Sequence, residues 1–299
     1  PGPGKICPDA GDCNTLAAQG VQVKPRPEYP YAPTLGAMSE NANVGASHFN
    51  GLEVKLDKRF SGGAQALVTY TWSHLLDTPS GDNYGGQSAE NDLCRLCDFG
   101  NSNTNYAHIF TAEWLYDLPF GHGRHWGSSA NWAANTALGG WEFTGIYHFN
   151  SGFPINVCCM SDIANVGQRA NNERPNYVSG QTQTLSTFVS DAANPGNGIR
   201  ILNVNAYTTP AAFTYGNVGR NSTIGPHFSN FDLGLYKNFP FREGKNSVQF
   251  RAEFFNAFNI HDFGGPSTGC CESNNNSFGD TTGTQQNARI IQFALKVYF

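Results

Sequence analysis

Charge is what this chain has little of: Asp, Glu, Lys and Arg make up 14% of its 299 residues, against roughly 25% in soluble domains. The formal net charge is only −5, and no basic stripe runs along the sequence, so no nucleic-acid partner is expected. Nowhere do apolar residues approach the run of ~20 that a membrane helix needs, which excludes a helical membrane protein. That absence says nothing against strands, which look apolar only at every second position. Scattered Ser, His and Asp show no spacing that marks an activated nucleophile, and no catalytic constellation is legible. The chain therefore reads as a non-enzyme. Without a Cys-x-x-Cys-His there is no covalent haem site, and no cofactor is expected. What is abundant instead is Gly (34) and aromatic side chains, 22 Phe and 12 Tyr among them. Glycine at that level suits many turns and argues against long helices.

Alternation with a period of two recurs along residues 47–299. At the end of the chain, Val248, Phe250, Ala252 and Phe254 alternate with Gln249, Arg251 and Glu253, and Ile291, Phe293, Leu295 and Val297 alternate with Gln292, Ala294, Lys296 and Tyr298. Such alternation makes one face apolar and the other polar. The same pattern predicts strands over 47–60, 64–76, 106–118, 141–157 and 228–239 in addition to 247–255 and 291–299. The fold class is thus all-β, an antiparallel transmembrane β-barrel segment of about seven strands with long extracellular loops. Residues 1–46, with seven prolines and no periodicity, read as an irregular loop segment, and 47–299 as the C-terminal part of the barrel. Any further strand would lie within 1–46 or 158–227. Bacterial single-chain barrels use even strand numbers from 8 upward, so the remaining strands are expected from a longer polypeptide or from other chains. The chain opens Pro-Gly-Pro-Gly without an initiator Met. That suggests a removed leader or a piece of something longer.

Loop lengths give a topology. Barrels in outer membranes have short periplasmic turns and long external loops. With Phe299 on the periplasmic side, the stretches 77–104, 158–227 and 260–288 are external, and 61–63, 121–140 and 240–246 are periplasmic turns. All eight cysteines, Cys7, Cys13, Cys94, Cys97, Cys158, Cys159, Cys270 and Cys271, then fall at the external end. Close pairs in even number suggest disulfides in an oxidising compartment. Short loops closed by Cys7/Cys13 and Cys94/Cys97 are the first expectation. The adjacent pairs Cys158/Cys159 and Cys270/Cys271 would bond elsewhere, to each other for example. Cys94-x-x-Cys97 also has metal-site spacing, but a structural zinc site takes four ligands, and no metal is expected. Asp77 and Asp82 offer oxygens without an EF-hand pattern, and His122 and His125 read as interfacial polar residues of a turn. Arg251, Glu253 and Lys296 are predicted to face the lumen, as a salt-bridge network or as contacts for a passing solute. Phe60, Trp141, Phe239 and Phe299 at one set of strand ends, and Trp72, Phe149 and Phe258 at the other, suit two aromatic girdles.

Several ordered stretches carry a resemblance. They include 49–52 (FNGL), 70–73 (YTWS), 118–121 (LPFG), 151–154 (SGFP), 174–176 (RPN), 216–221 (GNVGRN), 231–233 (FDL) with 237–239 (KNF), 251–256 (RAEFFN) and 292–296 (QFALK). In this order and spacing the chain resembles the C-terminal barrel of Oar-like TonB-dependent outer-membrane receptors over residues 47–299. The resemblance implies a 22-stranded barrel in a bacterial outer membrane, plugged by an N-terminal domain and driven by the TonB system. Plug and TonB-contacting segment would be supplied from outside the present sequence. The last residues, Val297, Tyr298 and Phe299, resemble the terminal signature read by the outer-membrane assembly machinery. The implied function is uptake or passage of a solute, with outer-membrane lipid as the surrounding partner. A structural or adhesive surface protein whose strands assemble with other chains is the alternative, and a soluble secreted β-sandwich ranks third.

Overall fold

The computed structural model describes residues 5–6, 23–24, 45–60, 62–79, 89–91, 94–161, 163–164, 173–190, 198–241, 246–271, 277–281 and 283–299. Their main feature is one antiparallel sheet of long strands in chain order: β1 (Ser47–Phe60), β2 (Ala64–Asp77), β3 (His108–Asp117), β4 (Trp141–Asn150), β5 (Phe228–Phe241), β6 (Asn246–Phe255) and β7 (Ile290–Tyr298). Each long strand pairs with its sequence neighbour. Among the described residues β1 and β7 are the sheet's open edges.

The register explains why alternation was so legible. Residues directly opposite in an antiparallel pair share a face. One row across all seven strands reads Lys58, Ala66, Trp114, Gly145, Leu233, Phe254 and Ile291, and the adjacent row reads Arg59, Gln65, Leu115, Thr144, Gly234, Glu253 and Gln292. The first belongs to an apolar face, the second to a mainly polar one, on which Leu67, Leu115 and Ile146 stand in mid-sheet and Leu75, Ile109 and Phe255 toward one end. Away from its short-turn rim, nothing in the described structure covers the apolar face. On the edge strands Leu56 is 59% exposed and Leu295 72%. Gly145 leaves room for the Trp114 ring, which a Cβ there would approach to 2.1 Å.

The hydrophobic core lies elsewhere. Ile155, Val157, Leu202, Ala206, Tyr207, Val218 and Phe278 form the buried cluster, and all of them sit in the long connections at one end of the sheet. The stretch 158–227, read from the sequence as one long external loop, has elements of its own. Short strands run through it: Asn176–Tyr177 pairs with Tyr207–Thr208, and Thr184–Ser190 with Ile199–Leu202, which also takes up Asp280–Thr281. Its strands are only two to seven residues long, too short for a run of alternation to show. The strand predicted over 141–157 likewise ends early, at Asn150. Beyond it Pro154–Ile155 leaves the sheet and pairs with Thr223–Ile224. Gly152 permits that departure, because a Cβ would stand 1.9 Å from the Gly225 carbonyl oxygen.

At the opposite end the connections are short, and one of them departs from its reading as a plain turn. Residues 119–140 contain the helix α1 (Trp132–Leu138), capped where Asn131 Oδ1 accepts from Ala134 N at 2.9 Å. In the N-terminal stretch only the two-residue strands Lys5–Ile6 and Val23–Lys24, paired in parallel, are described.

Candidate functional site: a buried ion cluster in the loop cap and a polar trough in the sheet

Loops of low charge content build the cap around two arginines. Arg174, with a side chain 7% exposed, lies between Glu90 and Asp98, at 2.5 Å from each. Its Nε donates to the Val218 carbonyl at 2.7 Å, and its backbone N–H donates to Glu90 Oε1 at 2.8 Å. Asp98 Oδ2 in turn accepts from Glu90 N. Burial raises the Glu90 pKa above its usual value, with the Arg174 guanidinium opposing the shift. Arg220 anchors the same cluster to the sheet: it pairs with the Asp77 carboxylate at the end of β2, and its Nε donates to the Asp98 carbonyl at 2.8 Å. Asn221 and Asn101 bond to each other's backbone beside it.

The local sequence builds this contact. Gly216 lets the loop carrying Val218 approach the Arg174–Pro175 backbone, where a Cβ would be 2.0 Å from the Arg174 carbonyl oxygen. Val218 N then donates to the Pro175 carbonyl, and Tyr177 N donates to Asn217 Oδ1. The stretches 174–176 and 216–221 are therefore two halves of one joint. Their signal in the sequence was two arginines inside Asn- and Gly-rich loops. Their acidic partners Glu90 and Asp98 had none, because pairing across 84 residues leaves no local pattern.

Among the described residues two disulfides brace the cap. Cys94–Cys97 closes the turn that carries Asp98, and Cys159–Cys271 joins the two longest connections. Cys158 and Cys270, expected among the bridged cysteines, carry free thiols. Burial pushes the Cys270 thiol up to about 12 and raises that of Cys158. Cys7 and Cys13 lie outside the described residues, as does Asp82. Asp77 is taken up by Arg220 instead of an open oxygen site. The sulfurs of Cys159, Cys270 and Cys271 lie within 4.8 Å of one another. Two of them are joined to each other, so they offer no three-thiolate ligand set.

Below the cap, a trough of about 580 Å³ opens along the polar face, lined by Asp57, Arg59, Glu113, Asp232, Tyr236 and Glu253 among others. A trough walled from β1 to β6 makes the polar face the concave one. Arg251 and Glu253 both lie on this face, 3.9 Å apart, and Tyr236 joins them by donating to Glu253 at 3.2 Å and by stacking under the Arg251 guanidinium. Lys296 stands opposite Gln249 on the same face, with its ammonium 4.7 Å from the Tyr298 ring. Val297 points to the apolar face opposite Val248, and Phe299 is fully exposed at the chain end. In the short turns, the His122 backbone donates to Asn135 Oδ1 and the His125 ring packs on Trp126.

Residues 4–292 match the family model described as an outer membrane beta barrel domain. No curated protein and no solved structure matches the chain. The match spans nearly all of the chain, and the sheet beneath it has an uncovered apolar face and a concave polar one. This protein belongs to the outer membrane beta barrel domain family, and its place is the outer membrane.

Proposed function

We propose that the chain forms part of the barrel of an Oar-like TonB-dependent receptor, through which a solute passes the outer membrane. The observation that carries this reading is the mainly polar face, concave and trough-bearing, backed across seven strands by an uncovered apolar face. In a barrel that arrangement gives a polar lumen and a lipid-facing exterior. The cap at the long-loop end would be extracellular and would capture the solute, while α1 and the short turns would face the periplasm. Edge strands β1 and β7 need partners, because an unpaired edge in hydrocarbon leaves backbone groups unsatisfied. A plug, further strands and the TonB system would come from a longer polypeptide or other chains.

Outer membranes extracted in detergent and run on a gel with and without boiling, with mass spectrometry of each band, test this reading. The 32.4 kDa chain should migrate with strands of a larger receptor until boiled. Migration as a multiple of this chain alone would replace uptake by a self-assembling surface structure.

A further inference from the structure

Helix α1 is inside out for a helix bathed in water. Its apolar side chains point away from the protein: Trp132 is 83% exposed and Leu138 59%, with Ala133 and Ala137 exposed beside them. Its two polar side chains are used up internally. Asn135 turns inward and accepts the His122 N–H at 2.7 Å, in a niche that Gly121 and Gly139 keep open. Thr136 donates back to the Trp132 carbonyl at 2.8 Å, a local bond that a helical threonine can make to the turn before it. The helix carries no charge.

Its position is equally informative. Trp141 lies on the sheet's apolar face opposite Lys237, and its indole N–H donates to the Ala137 carbonyl at 2.9 Å. The Lys237 ammonium, from that same face, meets the Gly139 carbonyl and lies 4.9 Å from the Phe239 ring. The C-terminal end of α1 is therefore fastened to the apolar side of the sheet, at the rim, and continues the surface of the protein that meets membrane lipid.

We propose that α1 is an interfacial anchor that lies in the headgroup and upper acyl region of the phospholipid leaflet at the short-turn end, with Trp132 and Leu138 immersed. A short apolar helix edge presenting Trp at this level fits the amphipathic interface, where indoles concentrate. Lys237, on the same rim, sets its ammonium on the Gly139 carbonyl and over the Trp141 and Phe239 rings, and so ties the helix end to the aromatic edge of the sheet. The inference rests on the reading that the sheet's apolar face meets lipid.

The full chain, in the assembly purified from outer membranes, is placed in phosphatidylcholine vesicles with acyl chains brominated near the headgroup. Fluorescence of the wild type is compared with that of Trp132→Phe and Trp114→Phe, Trp114 lying on the apolar face in mid-strand. Both substitutions keep a ring in place, and unchanged band migration before boiling confirms assembly. Trp132→Phe should remove one of five Trp shares from the bromolipid-quenched emission and none from the iodide-quenched emission. If the Trp132 share is quenched by iodide and not by bromolipid while the Trp114 share remains bromolipid-quenched, the anchor is refuted and the lipid-facing sheet stands. If neither share is quenched by bromolipid, the lipid-facing sheet falls and the anchor with it.

Discussion

Arg174 shows how much a single side chain carries when charge is scarce. Removing it leaves Glu90 and Asp98 buried side by side without a cation. Breaking a buried pair in this way costs about 3–5 kcal/mol, so Arg174→Met should open the cap to limited proteolysis while the sheet keeps its unboiled migration. The pH dependence has a definite sign. The raised Glu90 pKa means that protonation favours the folded cap. That contribution is complete below the ordinary carboxylate value of 4.5 and fades as pH rises through the higher folded value. Glu90→Gln should flatten this trend, and Arg174→Met should steepen it, as followed by cap proteolysis across pH. The thiols give a second test at this scale. With the Cys270 thiol pushed to about 12 and Cys158 buried, peptides bearing either should resist maleimide at neutral pH and label on denaturation, since only the thiolate attacks.

Among the elements, the connections differ from the strands in what holds them. A strand is fixed by its ladder, whereas the cap has a core, an ion cluster and the Cys159–Cys271 bridge, which spans 112 residues. Closing a loop of that length is worth about 4–5 kcal/mol in the chain-entropy account. Cys159→Ser with Cys271→Ser should therefore loosen both long connections together, read as faster cleavage in each. Gly216→Ala should do similar damage without touching a charge, because the atom it meets is the Arg174 backbone oxygen and not a side chain that could swing away. Cleavage within 198–224 measures it.

For the whole molecule the decisive contrast is between the two faces of one sheet. Leu235 and Thr144 lie on neighbouring strands, one on the apolar face opposite Phe143 and the other on the polar face opposite Gly234. An arginine at a lipid-facing position costs about 2–4 kcal/mol near the bilayer midplane, while the lumen side tolerates it. Leu235→Arg should lower the urea midpoint of the membrane-assembled protein markedly, and Thr144→Arg should leave it nearly unchanged. Equal effects of the two would mean that neither face meets lipid.

The strands were written plainly in the sequence because a two-residue period is local. Val248 to Phe254 and Ile291 to Val297 announce their face without knowing their neighbours, and the short turn through Gly62 and Gly63 sets the register of β1 on β2. Arg251, Glu253 and Lys296 could be assigned to one face for the same reason. What folding alone decided is everything that depends on distant chain meeting distant chain. Glu90 finds Arg174, and Asp77 finds Arg220 across 143 residues. Cys159 pairs with Cys271, and apolar residues scattered from 155 to 278 gather into a core. The outward-facing apolar edge of α1 also had no signature, since seven residues are too few for a period to show. Periodicity reports what a residue faces; only the folded chain fixes which residue it meets there.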